Sequence, residues 1–271
     1  MANMTKPREA LVFPPDKSSS IDLYIPPSST SSQSTPTKPF VTLTYATSLD
    51  SSLALSPGVQ TALSGPESKA MTHHLRSRHD AILIGCGTAI ADDPSLNCRI
   101  EGVGGYGGKG LEGQPRPIVL DPRGRWDVNH ESKVVKLAAE GRGKAPWVFT
   151  LGEVGHERNH ILEDVGGQFV RIGGGDVLEW DDILRVLAEK GLKSVMIEGG
   201  GHVINSLLSP KTAHLVDTVI ITLAPTWLGK GGVAVIPDER RDEQGTKLAV
   251  GRLKDVKWVP LGEDVVLCGR M

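Results

Sequence analysis

The sequence predicts an α/β protein: three layers, α/β/α, around a mixed, mainly parallel sheet that ends in a C-terminal antiparallel pair. Three observations predict it. From Phe40 onward, short runs of strand-forming residues alternate with helical patterns. Runs such as Ala81-Ile82-Leu83-Ile84 are continuously apolar, as in strands covered on both faces. The last two runs, near Val256–Val259 and Val265–Cys268, read as an antiparallel pair.

Residues 1–38 stand apart as an N-terminal extension, with a single domain over 39–271. The tract Pro26–Pro39 (PPSSTSSQSTPTKP) has nothing to bury and reads as a flexible connector. Before it, Leu11, Val12, Phe13, Ile21 and Tyr24 offer anchors against the body. Phe40–Tyr45 is the first strand. Ser64-Gly65-Pro66-Glu67 reads as a capping box, with Ser64 the cap of a helix running to about Ser77. Asp80–Gly85 is a buried strand, and the glycine-crowded 102–113 a flexible surface loop. Pro117–Leu120, Trp147–Phe149 and Phe169–Ile172 are further strands. Asp181 opens a helix with apolar positions Ile183, Leu184, Val186 and Leu187, closed by Gly191. Val195–Ile197, a short helix over Gly201–Leu208, and Val219–Ile221 follow.

The 271 residues suffice for one large domain, and 39% apolar content sustains a core. A net charge of −2 and 4% aromatic residues argue against a nucleic-acid partner. Cys86, Cys98 and Cys268 form no CxxC pair, so neither zinc nor a disulfide framework is expected, and a reducing compartment fits. No membrane-spanning run or signal pattern is visible. A soluble cytoplasmic protein is expected, and residence in the nucleus is compatible with the same features.

Open α/β sheets bind ligands beyond the carboxyl ends of their strands. Three such ends carry functional residue types: GTAIADDPSLNCR (Gly87–Arg99), EGGGH (Glu198–His202), and the segment from Ala224-Pro225 to Gly231-Gly232. Glycines between a strand and a helix admit a phosphate to backbone N–H groups, though a plain tight turn reads the same. The pattern is neither a GxGxxG fingerprint nor a P-loop. Glu198, at a strand tip, needs donors, from a ligand or from a neighbouring arginine. Asp92-Asp93-Pro94 is ordinary turn chemistry. His73, His74 and His79 are placed on an exposed helix face and its end, and no metal site is expected. Arg76 and Arg99, beside a glycine-rich turn, suggest a phosphorylated small-molecule ligand.

The ordered set Val41-Thr42-Leu43, Ser48-Leu49-Asp50, Leu63–Ser68, Leu75-Arg76, Asp80–Gly85, Gly87-Thr88, Ala91–Leu96, Glu198–Gly201 and Ala224-Pro225 resembles the riboflavin-pathway reductase family, in its stand-alone fungal form. The resemblance covers Phe40 to the C-terminus. It implies a dihydrofolate-reductase-like fold, NADPH as cofactor and a homodimer. It also implies an activity: reduction of the ribosyl side chain of a diaminopyrimidinone 5′-phosphate to a ribityl chain. Thr88, Asp92, Ile172 and the turn Gly199, Gly200, Gly201, His202, Val203 match cofactor positions. Arg76, Leu96, Arg99 and Glu198 match substrate positions, and Asp93 is left to structure. The hydride goes to sugar carbon 1′ of a ring-opened C=N form, whose nitrogen needs a proton. Glu198 and Asp50 are the candidate catalytic acids, with solvent as the alternative source.

Two departures stand out. Many relatives read Ser-Leu-Asp-Gly-Lys, whereas Asp50 here precedes Ser51-Ser52, so a basic substrate contact at position 52 is missing. Near the expected cofactor 2′-phosphate the chain has Asp121-Pro122-Arg123-Gly124-Arg125. Bifunctional relatives add a zinc deaminase domain with H-x-E and P-C-x-x-C motifs, and neither motif occurs here. Two other readings stay open: a same-fold reductase acting on a pteridine, and a non-catalytic nucleotide-binding module.

Overall fold

The computed structural model describes residues 9–27, 37–173 and 175–271. Most of the Ser/Thr/Pro tract lies outside the described residues.

Nine strands form the main sheet: β1 (Phe40–Thr47), β2 (Ala81–Gly85), β3 (Arg116–Leu120), β4 (Trp147–Thr150), β5 (Gln168–Arg171), β6 (Ser194–Gly199), β7 (Thr218–Leu223), β8 (Lys254–Leu261) and β9 (Asp264–Arg270). Their order is β8-β9-β7-β1-β6-β2-β3-β4-β5. From β7 to β5 every neighbouring pair is parallel, and β9 runs antiparallel to both β7 and β8. The helices are α1 (Pro15–Ile21), α2 (Pro66–Ser77), α3 (Cys86–Asp92), α4 (Lys133–Ala139), α5 (His156–Glu163), α6 (Trp180–Glu189) and α7 (Gly201–Leu207).

Alternate strand residues build the two outer layers. Val41, Leu43, Leu83, Ile118, Phe149, Val195 and Ile197 meet Ile183, Leu184 and Leu187 of α6 and Val203, Ile204 and Leu207 of α7. On the other face, Met196 and Ile220 pack with Met71 and Leu75 of α2. Ile82, Ile84, Val119 and Val148 pack with α3, α4 and α5. Phe13, Ile21, Tyr24 and Ile25 of the N-terminal segment are buried against α2 and the β8–β9 pair. Leu11 bridges to Ile100.

The structure departs from the sequence reading at four places. Helix α2 is not capped by Ser64. Gly65 is its N-cap, Pro66 fills the first turn, and the Gly65 N–H donates to Asp264 on β9 at 2.8 Å. The helix start is therefore anchored by a residue remote in sequence. The 102–113 stretch folds into a compact turn around buried Gln114, whose amide donates to the carbonyls of Cys98 and Gly104. A Cβ at Gly104 would lie 2.5 Å from the Gly110 carbonyl oxygen, so glycine there serves close packing. Helices α3, α4 and α5 lacked a sequence signal.

The fourth departure concerns the histidines. His73 and His79 are buried rather than exposed, and His74 pairs with Asp22 at 2.7 Å. His79 ends a buried chain of hydroxyls. Thr218 donates to Thr42 at 3.2 Å, Thr42 meets His79 Nε2 at 2.8 Å, and Nδ1 meets the Leu75 carbonyl at 2.7 Å. A carbonyl can only accept, so Nδ1 carries the hydrogen and the neutral ring satisfies the chain. Burial pushes the His79 pKa down to about 4, against the opposing hydrogen bond to Leu75. The unfolded chain therefore binds this proton more readily. Stability falls as pH drops through the ordinary histidine range and levels off below the depressed value. The loss expected from this group is about 3 kcal/mol, measured by urea unfolding across that window. His79→Gln should flatten that slope.

Candidate functional site

Strands β1 and β6 pair only as far as Leu43 and Ile197. Beyond that point β1 stays on β7 up to Thr47–Leu223, while β6 stays on β2 up to Ile84–Gly199. The parting opens a cleft of about 920 Å³ at the carboxyl ends of the strands. Glycine makes the divergence possible: Gly199 and Gly200 have φ of 77° and 104°, which side chains rarely adopt.

The glycine turn also leaves no room for side chains. A Cβ at Gly199 would meet Ile204 at 2.5 Å, one at Gly200 would meet Thr88 Oγ1 at 2.7 Å, and one at Gly201 would meet Val233 at 2.4 Å. Thr88 donates to the Gly199 carbonyl at 3.2 Å, tying α3 to the turn. Thr88, Asp92, Gly199, Gly200, Gly201, His202 and Val203 all line the cleft. Burial pushes the Asp92 carboxyl up, with Lys133 opposing. At the end of β3, the buried Asp121 carboxylate accepts the N–H groups of Arg125 and Trp126 at 2.9 and 2.8 Å. That turn presents Arg123 and Arg125 to the same cleft, and Arg125 also donates to Cys86 Sγ at 2.8 Å.

Five expected site residues take other places. Arg76 grips Glu198 with both ends of its fork, Nε to Oε1 at 2.8 Å and Nη2 to Oε2 at 2.7 Å, while Nη1 donates to the Asn97 carbonyl at 3.1 Å. Burial opposes the guanidinium charge, and the charge and hydrogen bonds of Glu198 outweigh it, so the Arg76 pKa is raised. Arg76 thus spends its fork on a protein carboxylate, and Glu198, at the cleft wall, accepts both bonds. Asp50 does not line the cleft. It accepts from Ser48 and from the N–H groups of Leu228 and Gly229, which hold its carboxyl below the usual range. It clamps two loops together and holds no proton at neutral pH.

Leu96 and Ile172 are 2% and 3% exposed and pack in the core, Leu96 from a left-handed backbone and Ile172 by continuing β5 beside Thr150. Arg99 lies on a separate hollow beside Asp93, Asn97 and Lys133, and donates to the Glu9 carbonyl at 3.0 Å. Asp93 closes α3 at φ 40° and accepts the Lys133 N–H at 3.0 Å, a structural role. Ser52 is buried against Gly232, away from the cleft. Cleft residues that motif reasoning missed include Tyr45, Leu53, Thr222 and the 56–61 segment, none of which belongs to a glycine or charge pattern. Among the described residues no cluster of side chains could hold a metal ion, and no helix is long and apolar enough to cross a membrane.

A glycine turn after one parallel strand and an arginine-bearing turn two strands away, meeting over one cleft, define a nucleotide-using α/β enzyme. Residues 39–267 match the RibD C-terminal domain model, and the chain belongs to that family. It is 42% identical over 241 residues to the 2,5-diamino-6-ribosylamino-4(3H)-pyrimidinone 5′-phosphate reductase of Debaryomyces hansenii, covering 86% of this chain and 90% of that one. The enzyme of the same name from Eremothecium gossypii is 41% identical over 253 residues, covering 92% and 95%. The solved structure of the Saccharomyces riboflavin biosynthesis reductase Rib7 superposes with a TM-score of 0.72 at 32% identity, over 94% of this chain and 99% of that chain.

The ion pair generates a prediction. Glu198→Ala would leave a buried guanidinium unpaired, so it should cost about 3 kcal/mol in urea unfolding, besides any effect on turnover. The double replacement Arg76→Met/Glu198→Leu, which leaves no orphan charge, should recover most of that loss.

Proposed function

We propose that the chain reduces the ribosylamino side chain of 2,5-diamino-6-ribosylamino-4(3H)-pyrimidinone 5′-phosphate to the ribitylamino form, using NADPH, in riboflavin biosynthesis. The observation that carries this is the glycine cradle facing two arginines across one cleft, in a chain about 40% identical to enzymes of that name. The residues fit the cofactor. The Gly199–Gly201 turn lines the cleft and carries no side chains to keep a pyrophosphate from its backbone. Thr88 and Asp92 stand beside it, and Arg123 and Arg125 supply guanidinium forks for a 2′-phosphate. The reduced nicotinamide supplies the hydride. The protein orients the two ligands and excludes water.

Within this reading Arg76 acts through Glu198, holding its carboxylate in one orientation against the cleft. Arg99 and the hollow it lines stand outside that cleft. A homodimer in the cytoplasm completes the proposal. Val256 and Trp258, exposed on one face of edge strand β8, support a partner there.

The test is NADPH oxidation with the named substrate, with dihydrofolate as comparison and mass spectrometry of the product. Turnover with the first, and a product heavier by two hydrogens, is expected; turnover with dihydrofolate alone would favour the pteridine reading. Arg123→Ala and Arg125→Ala should each reduce the preference for NADPH over NADH by roughly 10- to 100-fold, the worth of one charge-assisted contact.

A further inference from the structure

The relocations above remove both proton donors expected from the sequence. Asp50 is outside the cleft and ionised, and Glu198 accepts two guanidinium bonds. Yet opening the sugar ring requires a proton. As the nitrogen lone pair forms the C=N bond, the bond from carbon 1′ to the ring oxygen breaks, and its electron pair stays on that oxygen. Protonating the oxygen completes the opening, and hydride then adds at carbon 1′. One proton and one hydride balance the reaction; the proton goes to the ring oxygen and not to the nitrogen, as the sequence reading had it, since the nitrogen keeps the hydrogen it began with.

The cleft has a direction. Arg123 and Arg125 follow β3, the glycine turn follows β6, and β1 lies one strand further along the sheet. Neighbouring strands stand roughly 4.8 Å apart, so the arginine turn and β1 are separated by roughly 14 Å. With the 2′-phosphate at the first and the pyrophosphate at the second, the reacting end falls at β1. The cleft-lining residues of that strand are Thr44, Tyr45 and Ala46, and only Tyr45 carries a titratable group. Tyr45 sits just past Leu43, where β1 and β6 part, half-buried against the α6–α7 layer. Its hydroxyl makes no hydrogen bond among the described residues, as is true of Thr44 and Thr222, whereas the cleft hydroxyls of Thr72, Thr88 and Ser206 are committed to carbonyls. A half-buried phenol without a partner beside a cavity is a donor awaiting an acceptor.

We propose that Tyr45 is a further catalytic residue: its phenol touches the substrate's sugar and donates its proton to the ring oxygen as that oxygen leaves carbon 1′. Solvent at the mouth of the cleft restores the phenol afterwards. Burial pushes the Tyr45 pKa up to about 12, so the proton is in place throughout the physiological range and the phenolate is basic enough to be reprotonated at once. The proposal rests on the reaction assigned above.

Tyr45→Phe tests it, because it removes one oxygen and keeps the ring that packs against the core. Three quantities are read beside the wild type: turnover with the pyrimidinone substrate, NADPH affinity by fluorescence titration, and the thermal midpoint. The expected result is a kcat lower by roughly 10²-fold or more, with NADPH affinity and midpoint unchanged. An unchanged kcat overturns the assignment. So does a kcat that falls only in step with NADPH affinity, since the phenol would then serve the cofactor. A wild-type chain that binds NADPH but does not turn over this substrate overturns the reaction itself, and the role of Tyr45 with it.

Discussion

The separation of β1 from β6 after Leu43 and Ile197 is the constraint on which the site depends. A parallel sheet gains its stability by keeping every backbone donor and acceptor paired, so strands do not part without cause. Each strand here keeps a partner on its far side, β7 for β1 and β2 for β6. Gly199 and Gly200 then turn the chain away in conformations open to residues without a Cβ. The edges left between them are polar, sheltered and fixed in place. A ligand entering there meets groups that need no reorganisation to bind it.

The floor of the cleft is held by charge. The Arg76–Glu198 pair joins α2 to the tip of β6 with two parallel hydrogen bonds, and a third bond from Arg76 holds the segment at Asn97. Such a pair contributes little net stability, because desolvation offsets its attraction. What it does is specify geometry: a fork gripped at both ends allows one orientation of the carboxylate. Asp50 does for the loops what Arg76 does for the floor, drawing the 48–52 and 226–229 segments together, while Asn205 holds the 234–236 segment against α7. Charged groups that look catalytic in sequence are in several cases the scaffold around the catalytic space.

Much of the fold was legible because strands in a doubly covered parallel sheet are apolar throughout. All nine appear as runs, from Phe40 to Cys268, and each lies in the sheet. The short helices were not legible. Cys86–Asp92 and His156–Glu163 are only seven and eight residues long and have no side-chain caps, so their helicity comes from the sheet beneath them. The glycine turn could be read because it follows a recognisable strand, whereas Thr88 and Asp92 were singled out only by the family resemblance. Leu96, Ile172 and Arg99 could not be placed, since a single left-handed residue such as Leu96 at φ 51° changes which way its neighbours point. Tyr45 was hidden for the opposite reason, inside a strand where it looked like one more core residue.

The sequence by itself determined the class of fold, the order of its strands along the chain, the glycine turn and the family resemblance. The first three follow from local composition and spacing, and the resemblance from an ordered set of motifs, all of which a linear reading contains. Only the tertiary structure decided that Arg76 faces Glu198, that Asp264 holds Gly65 at a helix start 199 residues before it, and that Asp50 is a clamp. It also decided that Tyr45 stands at the opening. Each of those depends on a pairing between segments far apart in the chain. A side chain's chemistry is set by the partner it meets, and that partner is fixed only when the sheet has closed.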